Sequence, residues 1–260
     1  MVLSKIQRLN EMLLARLQEY RAQATSFGAD ETSQRRLLRS LMNVCPPMPL
    51  PDEFYRRQDE LLSLEREERG TVDAMKLPAA PHNQRIALWQ GDITRLAADA
   101  IVNAANSALL GCFIPLHRCI DNAIHSAAGL QLRSECGRIM HAQGHPEATG
   151  GAQITAGYNL PARHVIHTVG PIVDGALTDR HRELLASCYR SCLALAAERG
   201  LRSIAFCCIS TGEFRFPNAA AAEIAVRTVR EFLISESSVE RVVFNVFKDE
   251  DYHIYERLLS

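Results

Sequence analysis

Three side chains of the types that bind zinc lie close together near the middle of the chain. Cys112, His117 and Cys119 follow the spacing C-x4-H-x-C, and thiolate sulfur and imidazole nitrogen are ligands that Zn²⁺ favours in proteins. Three protein ligands would leave the fourth tetrahedral position open, as in reactive zinc sites. The same residues could equally be a buried cysteine, an exposed histidine and a cysteine at a helix start. Because this is not a common paired-cysteine template, spacing alone slightly favours the second interpretation.

A second candidate site is the turn Ser210-Thr211-Gly212-Glu213-Phe214, which is predicted to join a buried strand to a helix. Small residues in such a turn can aim successive backbone N–H groups at one point, and the positive end of the following helix strengthens the field there. The turn therefore suits a diphosphate and needs no lysine, and we call residues 210–214 the diphosphate turn. No Gly-Lys-Ser/Thr sequence follows, which excludes a Walker loop. An ordinary strand-to-helix turn is the alternative.

Polar residues also follow two other predicted strands. Asp92 comes directly after the strand that ends at Gln90. A carboxylate there can accept a hydrogen bond from an adenine amine, or it can cap a turn through free backbone N–H groups. Asn103 and Asn106 lie in the segment IVNAAN, where an amide offers both a donor and an acceptor to sugar hydroxyls. We expect Asn103 to cap the turn and Asn106 to contact the ligand.

These residues need a sheet that brings strand ends together, and the sequence from Arg85 onwards predicts one. Apolar strand segments alternate with helices, which is typical of a mostly parallel sheet with helices on both faces. Ligands of such folds bind beyond the carboxyl ends of the strands. The predicted strands are 85–90, 100–103, 152–155, 164–169, 203–209 and 241–247, and the predicted helices are 120–128, 130–143, 179–199, 218–234 and 251–259.

Residues 1–84 differ in texture and are predicted to form a helical N-terminal extension, with residues 85–260 as the main domain. Apolar residues recur at helical spacing from Leu3 to Leu17, and a second helix is predicted over residues 32–44. Residues 52–69 are highly charged and predicted to be helical in part, and residues 70–84 are expected to be a linker or an irregular edge. We expect the Leu3 to Leu17 stripe to pack the extension against the main domain.

The composition is that of an ordinary globular protein and restricts the function. The chain has 260 residues, of which 47% are hydrophobic and 23% charged, and its formal net charge is −1. A near-neutral chain is not, as a whole, an electrostatic binder of nucleic acid. No stretch reaches the ~18 apolar residues of a membrane span, and charges such as Lys5 and Arg8 interrupt any signal-peptide core. We expect a cytoplasmic protein whose eight cysteines form no disulfides.

Several motifs in a fixed order resemble one known family. The segments GDIT, IVNAAN, IDNAIHSAAG, ITAGYNLPA, HVIHTVGP and ISTGEFRFP resemble those of the ADP-ribose-binding macrodomain, over about residues 85–258. Most hydrolytic macrodomains have a run of glycines between the asparagine loop and the helix with the catalytic aspartate, where this chain has residues 110–121. That insertion and the helical extension resemble the zinc-containing subgroup of microbial protein-ADP-ribose hydrolases.

The resemblance implies a fold, an activity and a set of site residues. The fold is an α/β, three-layer α/β/α macrodomain with a mostly parallel mixed sheet and a helical N-terminal extension. The activity is removal of mono-ADP-ribose from a protein side chain, and the protein substrate is a lipoyl carrier modified by a sirtuin-like transferase. Asp121 and Asn106 are the implied catalytic residues, and Cys112, His117 and Cys119 the implied Zn²⁺ ligands. The implied ADP-ribose contacts are Asp92, Ile93, Asn106, Cys119, Ile120, Asp121, Ser210, Thr211, Gly212, Glu213 and Phe214.

Several alternatives stay open at the level of sequence, among them a structural or interaction protein that uses residues 1–84 as its contact surface. Water could attack the anomeric carbon of the ribose, as in a glycosidase, or an acyl carbon if the linkage is an ester, and Asp121 could position or deprotonate the water in both cases. The pocket would also suit a reader that binds ADP-ribose without cleaving it, or a phosphatase acting on ADP-ribose 1″-phosphate. Glu213 stands where metal-free relatives usually have a non-acidic residue, and it either tunes the diphosphate turn or points outward.

Overall fold

The computed structural model describes residues 2–235 and 237–260. Within these residues the N-terminal helices are α1 (Val2–Leu14), α2 (Arg21–Ala24), α3 (Glu31–Val44) and α4 (Asp52–Arg69). The later helices are α5 (Ile120–Ala128), α6 (Leu130–Gln143), α7 (Asp179–Glu198), α8 (Asn218–Phe232) and α9 (Asp249–Leu259). The strands are β1 (Val72–Asp73), β2 (Ala79–Ala80), β3 (Asn83–Gln90), β4 (Leu96–Ala97), β5 (Ala100–Ala105), β6 (Ala152–Ala156), β7 (His164–Val169), β8 (Ser203–Phe206) and β9 (Arg241–Val246).

The main sheet is mixed, as the sequence predicts. Its strand order is β2-β3-β9-β8-β5-β7-β6. The five inner strands are parallel, while β2 and β6 pair antiparallel with their neighbours at the two edges. Helices α5, α6, α7 and α9 contact its strands, and α8 packs between α7 and α9. The predicted α/β fold, a mostly parallel sheet flanked by helices, is confirmed.

Apolar composition places the inner strands in the core. All six residues of β5 except Ala104 are buried, and all four residues of β8 are buried. Strands covered on both faces lose the polar alternation of a half-exposed sheet, so they appear in the sequence as short apolar runs. The carboxyl ends of β3, β5 and β8 therefore lie at one rigid edge, and the loops that leave this edge are held by the core.

Most predicted bounds from Arg85 onwards agree with the structure to within two residues, and two regions differ more. β8 ends at Phe206 instead of residue 209, because its ladders with β5 and β9 end at Ala205 and Phe206, and the apolar residues Cys207 and Ile209 are buried outside the sheet. A hydrophobic pattern in the sequence indicates which residues are buried, but it does not indicate where the hydrogen-bonded pairing of a strand ends. Residues 70–84 are more regular than expected, since β1 pairs with β4 and β2 pairs with β3.

The N-terminal helices have a core of their own. Ile6, Leu9, Leu13 and Leu17 are buried among side chains of α3 and α4, and Leu130 of α6 joins the same cluster. The expectation that this stripe packs the extension on the main domain is therefore wrong for most of its length. Helix α1 needs an apolar partner, and α3 and α4 supply it, while α3 makes contacts to α5. No described helix is long and apolar enough to cross a bilayer, and the eight cysteines are free thiols.

Candidate active site

Three candidate loops leave the sheet at the same edge. They follow β3, β5 and β8, which run parallel in the order β3-β9-β8-β5. Asn245, near the end of β9, donates a hydrogen bond of 2.9 Å from Nδ2 to the Gly91 carbonyl and so ties the first of these loops to the sheet. The topology thus brings residues from three separate parts of the sequence to one edge of the sheet, where ligands of such folds bind in a cleft.

Asp121 is a buried carboxyl in the first turn of α5, where the positive end of the helix favours negative charge. Only 5% of the residue is exposed. Oδ1 accepts a hydrogen bond of 2.8 Å from Nδ2 of Asn103, and Oδ2 lies 3.4 Å from Nδ2 of Asn106. Burial raises the pKa of Asp121 to about 6, against the opposing effects of the Asn103 bond and the charge of Arg133. The group is positioned to accept a proton.

Asn103 has a role that the sequence prediction missed. We expected it to cap the turn after β5, but it is fully buried within the strand, and its Nδ2 also lies 3.2 Å from Nδ1 of His167. His167 in turn lies 2.9 Å, through Nε2, from Oγ1 of Thr155. The signal for this role was an amide in an otherwise apolar run, because a buried polar side chain requires a partner.

Asn106 connects the end of β5 to the loop that follows it. Its Oδ1 accepts a hydrogen bond of 3.0 Å from the Ala108 N–H, and its Nδ2 donates one of 3.1 Å to the Gly111 carbonyl. The same Nδ2 lies near Asp121. Asn106 therefore holds the loop and the carboxyl together, and contact between its amide and a ribose stays a prediction.

Two further ligand-type side chains lie behind Asp121. His125 and Cys136 form a buried group with His167, with candidate ligand atoms within 4.8 Å of one another. Burial lowers the pKa of His125 well below its usual value and lowers that of His167 to about 3, so both rings are neutral. The contacts of His167 with Asn103 and Thr155 use both of its ring nitrogens. We assign this group to the polar support of Asp121.

The turn over residues 210–214 is closed by backbone hydrogen bonds. The N–H groups of Arg215 and Phe216 donate to the carbonyls of Gly212 and Ser210, at 3.0 Å each. Ser210 has a φ of 65°, a left-handed conformation that reverses the chain direction. A Cβ added to Gly212 would meet no atom within 4 Å, so the space beside this residue is open. Binding of a diphosphate by this turn stays a prediction.

Asp92 caps a turn, which is the alternative that its sequence position left open. Its Oδ1 accepts hydrogen bonds of 2.9 Å from the Thr94 N–H and 2.7 Å from the Thr94 hydroxyl, at the start of the 3-10 turn Ile93–Arg95. Oδ2 lies 3.7 Å from a guanidinium nitrogen of Arg69 on α4. Ile93 is almost fully buried. Recognition of adenine by Asp92 and Ile93 stays a prediction.

The structure brings the three zinc-type side chains together in one loop, residues 110–119, which we call the metal loop. Sγ of Cys112 lies 3.5 Å from Nδ1 of His117. The candidate ligand atoms of these residues and of Cys119 all lie within 4.8 Å of one another, and each residue is half-buried. Cys119 is also the N-cap of α5, so the helix that carries Asp121 begins at a candidate metal ligand.

These residues fit the implied metal. Bonds of about 2.3 Å to sulfur and 2.0 Å to nitrogen place tetrahedral ligand atoms roughly 3.5 Å apart, which is the observed separation of Cys112 and His117. Burial and the neighbouring Cys112 raise the pKa of Cys119 to about 12. Two thiolates this close together repel each other, and a bound dication would neutralise their negative charges.

Glu213 faces the metal loop. Its Oε1 lies 3.4 Å from Nε2 of His117, on the ring nitrogen opposite to the one that faces Cys112. The side chain thus turns toward the metal loop, while its backbone N–H belongs to the diphosphate turn. A carboxylate on the second nitrogen of a metal-binding histidine is a common arrangement, since it fixes the ring and its tautomer.

Comparison with known proteins identifies the family of this chain. The Macro domain family matches residues 102–225. A protein-ADP-ribose hydrolase of Treponema medium is 53% identical over 233 residues, which are 89% of each chain. The chain belongs to the macrodomain family. A similar relative, a protein-ADP-ribose hydrolase of Staphylococcus aureus strain MRSA252, is 51% identical over 226 residues, 86% of this chain and 84% of that protein.

Solved macrodomains share the fold and differ in how much of this chain they cover. The Trypanosoma brucei macrodomain in complex with ADP-ribose has a TM-score of 0.67 and 33% identity, and the match covers 85% of this chain and 95% of that one. The Oceanobacillus iheyensis macrodomain with ADP has a TM-score of 0.61 and 40% identity, over 68% of this chain and 92% of that one. Residues 85–260 are too few to make up 85% of this chain. The match to the trypanosomal protein therefore also includes part of the N-terminal extension of this macrodomain.

Proposed function

We propose that this macrodomain hydrolyses the bond between mono-ADP-ribose and a protein side chain and releases free ADP-ribose. The observation that carries the proposal is the buried carboxyl of Asp121, held by Asn103 and Asn106 at the sheet edge where the diphosphate turn also lies. A module that only binds ADP-ribose does not need a proton acceptor at this place. Relatives at about half identity carry the name protein-ADP-ribose hydrolase.

The cleft would bind ADP-ribose mainly through backbone groups. The amides of Gly212, Glu213 and Phe214, with the N-terminus of α8 behind them, would hold the diphosphate. Ser210 and Thr211 would shape the turn. Asp92 and Ile93 would hold the adenine, and Asn106 would hold hydroxyls of the distal ribose. Ile120 and Cys119 would border that ribose because they begin the helix of Asp121.

Asp121 would position and deprotonate the attacking water. The water oxygen forms the new bond to the anomeric carbon, or to an acyl carbon in an ester linkage, and the bond to the leaving group breaks. One proton of the water passes to Asp121, and the leaving group takes up a proton in turn. Both routes release ADP-ribose and both require the same carboxyl. Asn103 and Asn106 keep Asp121 oriented toward the ribose end of the cleft.

We further propose that Cys112, His117 and Cys119 hold Zn²⁺. A bound zinc ion would act as a Lewis acid or orient the distal ribose. The three ligand atoms are close enough to share one ion, and Glu213 is placed to orient His117. The resemblance to zinc-containing macrodomains motivates a lipoyl-carrier protein, modified by a sirtuin-like transferase, as the substrate.

A mass-resolved release assay tests the proposal. Wild-type protein is incubated with mono-ADP-ribosylated proteins of defined linkage, among them a modified lipoyl carrier, with and without added zinc, and free ADP-ribose is quantified. We expect release by the wild type and none by D121A, while calorimetry shows that D121A still binds ADP-ribose. Binding without release by the wild type would indicate a reader. Release of inorganic phosphate from ADP-ribose 1″-phosphate, with no release from modified protein, would indicate a phosphatase.

A further inference from the structure

The end of helix α3 in the N-terminal extension reaches the metal loop. Asn43, one residue before the last of that helix, is 1% exposed. Its Oδ1 accepts a hydrogen bond of 3.0 Å from the backbone N–H of Leu116. Leu116 directly precedes His117 and has a φ of 58°, an uncommon conformation for a leucine. A buried amide thus holds the strained residue next to a candidate metal ligand.

The same amide also holds the helix of Asp121. Nδ2 of Asn43 donates hydrogen bonds of 3.0 Å to Oδ1 of Asn122 and 3.2 Å to the hydroxyl of Ser126. Asn122, which follows Asp121, donates from Nδ2 to the Ile114 carbonyl at 3.1 Å. Two buried amides therefore join the extension, the metal loop and α5 in one network, and buried networks of this kind specify a single arrangement when their members are paired.

A second buried group reinforces the contact. Arg133 of α6 donates hydrogen bonds of 2.8 Å to the carbonyls of Met42 and Asn43, at the carboxyl end of α3. Its guanidinium carbon lies 4.4 Å from the ring centre of Phe113 in the metal loop. A cation suits both the carbonyl end of a helix and an aromatic face. Arg133 of the main domain thus contacts both the metal loop and the carboxyl end of α3.

We propose that Asn43 is a positioning residue through which the N-terminal extension keeps the metal loop in its ligand-binding shape. The identity of the metal rests on the proposed function. The role of Asn43 in keeping the metal loop ordered does not depend on it. Without the amide, the Leu116 N–H would lose its buried partner and the turn before His117 would open. Cys112 and Cys119 would then separate from His117 for part of the time.

The experiment compares N43A with N10A in the full-length protein. Asn10 is a similarly buried amide on α1, and within the described residues its Nδ2 donates only to Gln34 of the extension, at 3.0 Å. In metal-free protein we measure alkylation of Cys112 and Cys119 by peptide mass spectrometry and hydrogen exchange at the Leu116 amide. We expect both to be faster in N43A than in the wild type and unchanged in N10A. Zinc affinity, measured against a competing chelator, is expected to fall roughly tenfold or more in N43A alone.

The outcomes separate this inference from the proposed function. Equal labelling of N43A and wild type, or equal gains in N43A and N10A, would overturn the role of Asn43. A wild type that binds no zinc would count against the proposed metal, and the labelling would still decide the role of Asn43. If N43A does not fold, N43L replaces it. Leucine has a similar volume but no acceptor for the Leu116 N–H, so we expect labelling faster than in the wild type and slower than in a denatured control, and labelling equal to the wild type would overturn the proposal.

Discussion

The carboxylate of Glu213 lies 3.4 Å from Nε2 of His117, so the diphosphate turn and the metal loop touch across the cleft. The two residues lie far apart in the sequence and on loops that follow different strands. The contact links the part of the cleft that would bind phosphates to the part that would bind the metal. Its consequence is a carboxylate placed behind a candidate metal ligand.

Replacement of Glu213 by glutamine should weaken zinc binding. The neutral amide still reaches His117 but no longer favours, by its charge, the tautomer that carries its proton on Nε2 and leaves Nδ1 free for a metal. Loss of such outer partners costs roughly tenfold in metal affinity. Zinc affinity by chelator competition measures the effect. Glu183→Gln is the matched control, because Glu183 is equally exposed and pairs with Arg180 on the surface. Equal affinity in E213Q and wild type would show that the contact with His117 is incidental.

Asp121→Asn should strongly slow turnover and keep ADP-ribose binding. The amide is isosteric and can still accept the hydrogen bond from Asn103, but it cannot take a proton from water. We expect the rate of ADP-ribose release to fall by roughly 10²- to 10⁴-fold and the Kd for ADP-ribose to change little. Single-turnover kinetics and calorimetry provide the two numbers. Turnover at the wild-type rate would remove Asp121 from the mechanism.

Asn103→Ala should reduce both stability and turnover. The change removes the amide donor from Oδ1 of Asp121 and from Nδ1 of His167, which costs about 1–3 kcal/mol in the free energy of unfolding. Thr155→Val is the control, because it removes the hydroxyl at the far side of His167 and leaves the Asp121 contact intact. Urea unfolding measures the stability of both variants, and only N103A should also lose activity beyond its loss of folded protein. A comparable loss of turnover in T155V would contradict a specific role for Asn103.

Gly212→Val should weaken ADP-ribose binding without a loss of stability. An added Cβ meets no protein atom within 4 Å, so the melting temperature should stay unchanged, but the side chain would enter the space where a diphosphate approaches the amides. We expect the Kd to rise by at least about tenfold, equivalent to ~1.4 kcal/mol, with a smaller rise for G212A. An unchanged Kd in G212V would show that the ligand does not approach this turn.

The free energy of unfolding should decrease as the pH falls, because His167 binds a proton more readily in the unfolded protein than in the folded one. Burial lowers its pKa from 6.5 to about 3, and it faces His125, Cys136, Thr155 and Asn103. The unfolded ring binds a proton below pH ~6.5 and the folded ring does not, so this group's contribution is complete above pH ~6.5 and lost as the pH falls toward 3, at about 1.4 kcal/mol per pH unit.

His167→Gln tests this titration. The variant cannot bind the proton, so the slope of its unfolding free energy between pH 6.5 and 4.5 should be smaller than that of the wild type by about 1.4 kcal/mol per unit. Urea unfolding at a series of pH values gives both slopes. Burial, the largest cause of the lowered pKa of His125, is the same in both proteins, while the smaller effect of His167 on that pKa is lost in the variant. Identical slopes would mean that His167 is protonated in the fold or inaccessible to titration in both states.

Most elements could be predicted from local sequence, since their signals are local. The predicted bounds of α5 and α6 agree with the structure because Gly129, with a φ of 99°, separates two helical patterns. The end of β8 could not be predicted, because it depends on where β5 and β9 stop pairing. The partner of the Leu3 to Leu17 stripe also needed the structure, since an apolar face does not specify what covers it.

The residue types of the site, the alternation of strands and helices, and the spacing of Cys112, His117 and Cys119 could all be read from the sequence, because they follow from covalent order and side-chain chemistry. Which buried amides meet became known only from the folded chain. Asn103 holds Asp121, and Asn43 holds Leu116 from a helix 73 positions earlier in the chain. Such pairs arise from strand order and helix packing, and these are set by the whole core at once and not by any neighbouring stretch of sequence.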